Sequence, residues 1–315
     1  MLWLFITLAA YVLLAIVAVG DKFFVSNQKL RPSAYVFYIG ALGLPVFLLI
    51  PFVGFQFPVP LRALLGVGAG ISFGIALFWM FRALKLFEAS VVIPMIGGFI
   101  PLFTLGLTFL FSKEHAEFTA MHAAAFILLV GGSALMSWET SAKHTAQSLF
   151  LAVCSALWFS FSFAVSKYAY IDEHFWSVFM ARAFGVFLAG LFLFLFSRGE
   201  KKEIAGASQP PNTQKSASYS KRFFLPALFV ANQGIGAVGQ TLQNYAIFLV
   251  PVSMVAFVNA LEGVRFAFLL LFTSLLSLFF PHIIRERITR NVLMRKIIAI
   301  FIIGAGLILL ARIIS

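Results

Sequence analysis

Three polar side chains recur at steps of three residues inside a long apolar stretch in the last quarter of the chain. They are Asn259, Glu262 and Arg265. Such steps keep side chains on one slowly rotating helical face, where the acid and the guanidinium can pair across one turn. Ionisable groups in hydrocarbon tend to face cavities or partners. Two interpretations stay open: an internal ion pair that fixes packing, or a polar cavity wall that contacts a substrate or takes up a proton.

The preceding apolar stretch is rich in amide side chains and glycine. Gln233, Gln240, Gln243 and Asn244 fall on one broad helical face together with Gly236. Amides inside a bilayer must find hydrogen-bonding partners, and glycine lets a neighbouring helix approach closely. The pattern indicates either a tight seam between helices or a substrate-facing wall whose donors and acceptors suit a neutral or zwitterionic solute.

Two further residues are candidate substrate contacts. Arg182 lies about two turns into a short apolar segment, too deep for its side chain to reach the interface easily. A buried guanidinium can hold a carboxylate or phosphate through two parallel hydrogen bonds, or it can bond a cluster of backbone carbonyls. Trp79 lies near the end of an apolar run, where interfacial aromatic residues are common, and it is the second candidate.

No motif for enzymatic chemistry accompanies these residues in the sequence. The five histidines are scattered without metal-ligand spacing, and Walker A, nucleophile-elbow and HExxH motifs are absent. We therefore expect no enzyme, no metal and no cofactor. The single Cys154 excludes a disulfide within the chain.

The composition places these residues in a membrane protein. Of 315 residues, 62% are hydrophobic and only 11% are charged, whereas a soluble protein keeps roughly a quarter of its residues charged. The net charge of +12 does not indicate nucleic acid, because the lysines and arginines lie mostly in short connections between apolar runs. We expect a multi-pass protein of the cell membrane, with the lipid bilayer and a small-molecule substrate as partners. A homodimer is left open.

Apolar runs bounded by charges, proline or glycine predict ten membrane-spanning helices. A helix needs about 20 apolar residues to cross ~30 Å of hydrocarbon, and lipid-exposed backbone must satisfy its own hydrogen bonds. Residues 198–222, with two prolines and several serines, indicate a flexible linker between the seventh and eighth spans. The predicted spans are 2–24, 34–53, 61–86, 89–112, 119–138, 147–170, 175–197, 223–248, 251–280 and 292–313.

The sequence also contains an internal repeat, which predicts one five-helix unit at 1–140 and a second at 145–315. Asp21-Lys22 matches Ser166-Lys167 at an offset of 145. Ala83 and Ala89 match Ala246 and Val252 with equal internal spacing. A five-helix unit begins and ends on opposite sides of a membrane, so its duplicate must be inverted. Inverted repeats around a central site are the architecture of many secondary transporters.

The sequence resembles the drug/metabolite transporter superfamily, in particular proteins with two EamA-like domains. The residues that carry the resemblance are Ala83-Leu84, Ala89-Ser90, Glu114 and Gly131-Gly132, with the second-half counterparts Ala246, Ser253, Glu286 and Gly304. The resemblance implies that the third, fourth, eighth and ninth spans surround a central cavity with parts of the first, second, sixth and seventh. It places the fifth and tenth spans peripherally.

The orientation of the chain is predicted differently by two arguments. Connections after even-numbered spans, with the C-terminal tail, hold only four basic residues: Arg62, Lys113, Lys167 and Arg312. The positive-inside rule then places both termini outside the cytoplasm, whereas the resemblance favours both termini inside.

The function predicted from these features is secondary transport. We expect export of a small polar or amphipathic metabolite, an amino acid or a related compound by resemblance, through alternating access around a central cavity. A flippase for a lipid-linked substrate is the alternative, since it would use the same fold with a lateral opening. A membrane-embedded enzyme ranks below both, because no acid–base or metal cluster is found in the sequence at an interface. A scaffold subunit also ranks below both.

Overall fold

Every regular element that the structure describes is a helix. The computed structural model describes residues 2–27, 31–87, 89–111, 119–137, 146–197, 219–279 and 290–314. The all-helical prediction is confirmed for these ranges. The helices are α1 Leu2–Asn27, α2 Pro32–Gly43, α3 Pro60–Leu86, α4 Ala89–Phe111, α5 Ala120–Ser137, α6 Ala146–Tyr170, α7 Phe175–Phe196, α8 Tyr219–Leu249, α9 Val255–Ala260, α10 Glu262–Phe279 and α11 Arg290–Ile314.

Within the described residues, six helical stretches are long and apolar enough to cross a membrane. This length and composition are those of a multi-pass helical membrane protein. Residues 198–218 of the predicted linker, and the repeat residues Glu114 and Glu286, lie outside the described residues. Residues 219–222 belong to α8, so that helix begins earlier than predicted. The six stretches are Leu2–Asp21, Pro32–Leu49, Pro60–Leu86, Ala146–Tyr170, Phe175–Phe196 and Val252–Leu269.

The second predicted span is not a single α-helix. α2 gives way to a 3₁₀ segment at Leu44–Leu49, and the Leu44 amide bonds the Ala41 carbonyl three residues back. Pro45 accounts for the change, because it has no amide hydrogen for the next α-helical bond and its ring crowds the preceding turn. The helix predicted over 34–53 is therefore α-helical only to Gly43, continues as a 3₁₀ helix to Leu49, and is wrong beyond Leu49.

Large apolar side chains cover the outside of the molecule, whereas small hydroxyl groups lie within it. Phe52, Leu110 and Phe301 are 82%, 80% and 74% exposed, which suits a hydrocarbon solvent. Inside, Ser155 donates to the Ala76 carbonyl at 2.9 Å and Ser162 donates to the Ala69 carbonyl at 2.7 Å. Both bonds join α6 to α3, so the helix seams of the interior are partly polar.

Helix α3 packs against both α6 and α7, and α1 packs against α8. The other close pairs are α2 with α7, α4 with α6, and α5 with α11. The α3–α7 seam brings backbones together at Gly70, where an added Cβ would come within 2.0 Å of the Arg182 carbonyl oxygen. Gly68, two residues earlier, has nothing within 4 Å of its added Cβ.

Gly70→Ala is expected to lower the free energy of unfolding by about 2 kcal/mol or more, because the obstacle is backbone that cannot rotate away. Gly68→Ala is the matched control and is expected to leave stability unchanged or to raise it by up to about 1 kcal/mol, since alanine favours the helix. Thermal unfolding of both variants in detergent measures the difference. Equal unfolding temperatures would contradict the close α3–α7 approach.

Candidate functional site

The polar side chains of α8 meet a carboxylate on α1. One oxygen of Asp21, Oδ1, accepts hydrogen bonds from the Tyr35 hydroxyl at 2.7 Å, from Asn232 Nδ2 at 3.0 Å and from Gln233 Nε2 at 3.2 Å. Gln233 Nε2 also lies 3.2 Å from the Tyr35 hydroxyl. Three elements, α1, α2 and α8, thus converge on a single carboxylate. Such charge-assisted bonds are about twice as strong as neutral ones.

The ninth predicted span has a one-residue break at Leu261, which lies between two of the predicted site residues. The backbone of Leu261 stays in the right-handed helical region, and its amide still bonds the Phe257 carbonyl at 3.1 Å. α9 ends at Ala260 and α10 begins at Glu262. The Tyr11 hydroxyl donates to the Val258 carbonyl at 2.9 Å, which in a continuous helix would accept the amide of Glu262. The span predicted over 251–280 therefore has an interruption at Leu261, while Val252–Leu269 keeps the length and composition of a membrane span. The Tyr11 hydroxyl of α1 competes for the carbonyl that would accept the helical hydrogen bond at this point.

The ion pair predicted within this span is present. Arg265 Nη1 lies 3.0 Å from Glu262 Oε1, and the two side chains are only 20% and 10% exposed. Glu262 occupies the first turn of α10, where the helix dipole favours a negative charge. The Nε atom of Arg265 is buried and has no hydrogen-bond partner in the described part of the chain. The pair therefore leaves donor capacity unused.

Two more predicted site residues retain an unused carbonyl oxygen. Asn259 is buried, and its Nδ2 donates to Thr104 of α4 at 3.0 Å. Neither its Oδ1 nor the Oε1 of Gln240 has a hydrogen-bond partner among the described residues. A buried amide oxygen without a donor is unfavourable by about 1–3 kcal/mol, so each is a candidate acceptor for a polar ligand.

The amides of α8 do not all face the same neighbour. Gln243 Nε2 lies 3.4 Å from the Tyr11 hydroxyl, on the α1 side. Asn244 is buried on the other side, where the Tyr170 hydroxyl of α6 reaches its Oδ1 at 3.5 Å. The predicted single amide face is thus divided between α1 and α6.

Arg182 and Trp79 lie apart from the hydrogen bonds around Asp21. Arg182 is buried against Phe73, with its guanidinium carbon 4.3 Å from the ring centre. Trp79 packs against Phe150 and under Arg82, whose guanidinium carbon lies 5.7 Å from the indole ring. Trp79 takes no part in the polar contacts recorded among the described residues. The structure therefore does not bring it together with the other predicted site residues.

Sequence reasoning missed Asp21, Tyr11, Tyr35 and Thr104. A carboxylate near the end of the first apolar run is the available signal for Asp21, but the basic Lys22 beside it masks that signal. The side chain of Lys22 lies outside those the structure describes. The tyrosines gave no signal, because a lone tyrosine in an apolar run is common packing material.

Among the described side chains, the charges of the site are unbalanced toward the negative. Arg265 pairs with Glu262 and also attracts Asp21 electrostatically, so that one guanidinium acts on two carboxylates. Such an arrangement can hold a proton or a cationic group of a solute on the carboxylates, and an acceptor group on the free edge of Arg265.

Comparisons with known proteins bear on the fold alone. No protein-family model matches the sequence, and no curated protein matches it. A crystal structure of another protein superposes on 100% of this chain and 98% of its own, with a TM-score of 0.61 and 18% sequence identity. This helical architecture therefore exists, over the full chain, in an experimentally determined structure. The chain belongs to the class of all-helical proteins with several helices of membrane-spanning length.

Proposed function

We propose that this protein is a secondary transporter of the cell membrane that moves a small polar or amphipathic metabolite by alternating access. The observation that carries the proposal is the break between α9 and α10. Broken helices at the interior of a bundle provide polar backbone and hinge points around a solute site. Here the break is flanked by Asn259 and Glu262, and it contacts Tyr11 of α1. The proposed solute site consists of the backbone at this break, the side chain of Arg265 and the amide side chains of α8.

An inverted repeat of two five-helix units is part of the proposal, and matched contacts support it. The offset of 145 between α1 and α6 relates Val17 to Ser162, and the offset of 163 between α3 and α8 relates Ala69 to Asn232. Ser162 donates to the Ala69 carbonyl at 2.7 Å, and Asn232 lies 3.5 Å from the Val17 carbonyl. Equivalent pairs of positions thus make polar contacts across the seam between the two proposed units, with the donor on α6 in one pair and on α8 in the other.

The last helix of each proposed unit shows the same reciprocity. An offset of 174 relates Gly132 to Gly306 and Leu129 to Ile303. A Cβ at Gly132 would come within 2.6 Å of Ile303, and a Cβ at Gly306 would come within 3.0 Å of Leu129. These reciprocal approaches support an antiparallel crossing of α5 and α11 about a local two-fold axis. Two inverted units of this kind can exchange conformations and open a shared site to either side.

Accessibility of single cysteines tests alternating access without knowledge of the solute. In a Cys154→Ser background, Gln240→Cys is expected to react with a water-soluble, membrane-impermeant maleimide added to either side of sealed vesicles. The reason is that exchange between two states would expose an interior position of α8 to each aqueous phase in turn. Labelling is measured from right-side-out and inside-out vesicles.

Val238→Cys is the matched control on the same helix. Val238 is 54% exposed on the outer surface, so its cysteine should face lipid and stay unlabelled. Labelling of Gln240→Cys from one side only would contradict alternating access. Stabilisation of the purified protein by lipid-linked compounds, and by no soluble metabolite, would favour the flippase over the metabolite transporter.

A further inference from the structure

The side of the interior formed by α3, α6 and α7 holds a buried cation that is separate from the ion pair on α10. Arg182 is 4% exposed, and its Nε and Nη2 atoms are buried without a hydrogen-bond partner in the described part of the chain. The face of Phe73 offsets part of the charge, by up to about 2 kcal/mol. An uncompensated buried charge is unfavourable by more than that, so the residue is incompletely satisfied.

The described surroundings of Arg182 supply no negative charge. Among the described residues, no carboxylate lies within ion-pair distance of it, and its electrostatic neighbour is Tyr170. Lys167, one helical turn before Tyr170, is a second buried cation, 8% exposed, whose Nζ donates to the Phe248 carbonyl at 2.9 Å. This side of the interior is therefore positive, in contrast to the side that holds Asp21 and Glu262.

The backbone of Arg182 is fixed in place. Its carbonyl lies against Gly70 of α3, where even a methyl group would not fit. The guanidinium therefore cannot be carried toward an interface by a small shift of α7, as happens when a long basic side chain snorkels.

The two unsatisfied nitrogens identify the ligand chemistry. Nε and Nη2 lie along the same edge of the guanidinium plane, and their two N–H bonds point in parallel. That edge matches two oxygens of a carboxylate or a phosphate, and this is how arginine binds such groups bidentately. Stacking on Phe73 engages the face of the guanidinium and does not use the donors on its edges.

We infer that Arg182 anchors an anion-binding site that takes an oxyanion, either a carboxylate or a phosphate, on its Nε–Nη2 edge, with Phe73 supporting the plane. The oxyanion can be a free inorganic ion or the anionic group of a solute. The anion-binding site is independent of the proposed transport function, because a protein without transport activity would still bind the anion there.

Thermal unfolding of the purified protein in detergent, at constant ionic strength, tests the inference with acetate, inorganic phosphate and chloride as probes. Acetate or phosphate is expected to raise the unfolding temperature of the wild type saturably, and chloride less, because it cannot bridge both donors. In Arg182→Gln, the anion concentration that gives half of the maximal stabilisation should rise about tenfold or more, which corresponds to the loss of one charge-assisted contact. Arg182→Lys keeps the charge without the planar edge, and about a threefold rise is expected.

Arg82→Gln is the matched control, since Arg82 also stacks on an aromatic ring but is exposed. The rise in its unfolding temperature with each anion should equal that of the wild type.

The relative strengths of the probes distinguish the sources of the anion. Stronger stabilisation by phosphate indicates a free anion, and tighter binding of larger carboxylates than of acetate indicates the anionic group of a solute. Identical responses of wild type and Arg182→Gln would overturn the site. So would a large loss of stability in Arg182→Gln without any anion, since the arginine would then serve the fold.

Discussion

Glu262→Gln is expected to reduce transport by about 10- to 100-fold while the protein still folds and inserts. Glutamine has nearly the same shape but no charge, so the contact to Arg265 at 3.0 Å loses its ionic character. A hydrogen bond between charged groups contributes about 1.5–3 kcal/mol, which corresponds to this range of rates. Initial rates in proteoliposomes measure the effect, with a solute first identified by its stabilisation of the purified protein.

Two outcomes separate the functional interpretation of the Glu262–Arg265 pair from the purely structural one. Glu173→Gln is the control, because Glu173 lies in the turn between α6 and α7, where its Oε1 accepts the Val59 amide at 2.8 Å. Its transport rate should match that of the wild type. A Glu262→Gln protein with normal transport but a lower unfolding temperature would show that the pair only fixes packing.

Most helix positions in this chain could be predicted from sequence because apolar length alone decides them. A run of about 20 apolar residues has no stable alternative to a helix in hydrocarbon. α3, α6 and α7 accordingly lie within a few residues of the predicted spans 61–86, 147–170 and 175–197. Pro45 could have signalled the end of α2, since proline within a span disturbs the helix by a local rule.

The break at Leu261 could not be predicted in the same way, because its cause is remote in sequence. Tyr11, on α1, bonds the Val258 carbonyl across 247 positions. The residues between Val255 and Ala260 are all compatible with helix. The division of the α8 amides between α1 and α6 has the same origin: helical periodicity places side chains on a face, but the neighbours of that face are set by tertiary packing.

Asp21→Ala is expected to lower the free energy of unfolding by about 3 kcal/mol. Its Oδ1 atom accepts from Tyr35, Asn232 and Gln233, and a donor left unsatisfied in the interior is unfavourable by about 1–3 kcal/mol. The expected loss of stability is smaller than three unsatisfied donors would cause. Gln233 Nε2 keeps its contact with the Tyr35 hydroxyl, and Asn232 keeps its contact with the Val17 carbonyl. Unfolding in mixed detergent micelles measures the change.

Asp21→Asn separates the loss of the acceptor from the loss of the charge. Asparagine keeps one oxygen for the three donors, and neutral hydrogen bonds are about half as strong as charge-assisted ones, so about half of the alanine effect is expected. Transport should fall in both variants if the carboxylate also takes part in binding beside Arg265. If the alanine and asparagine variants both proved as stable as the wild type, the three donors would not depend on Asp21, and α1, α2 and α8 would be joined by apolar packing alone.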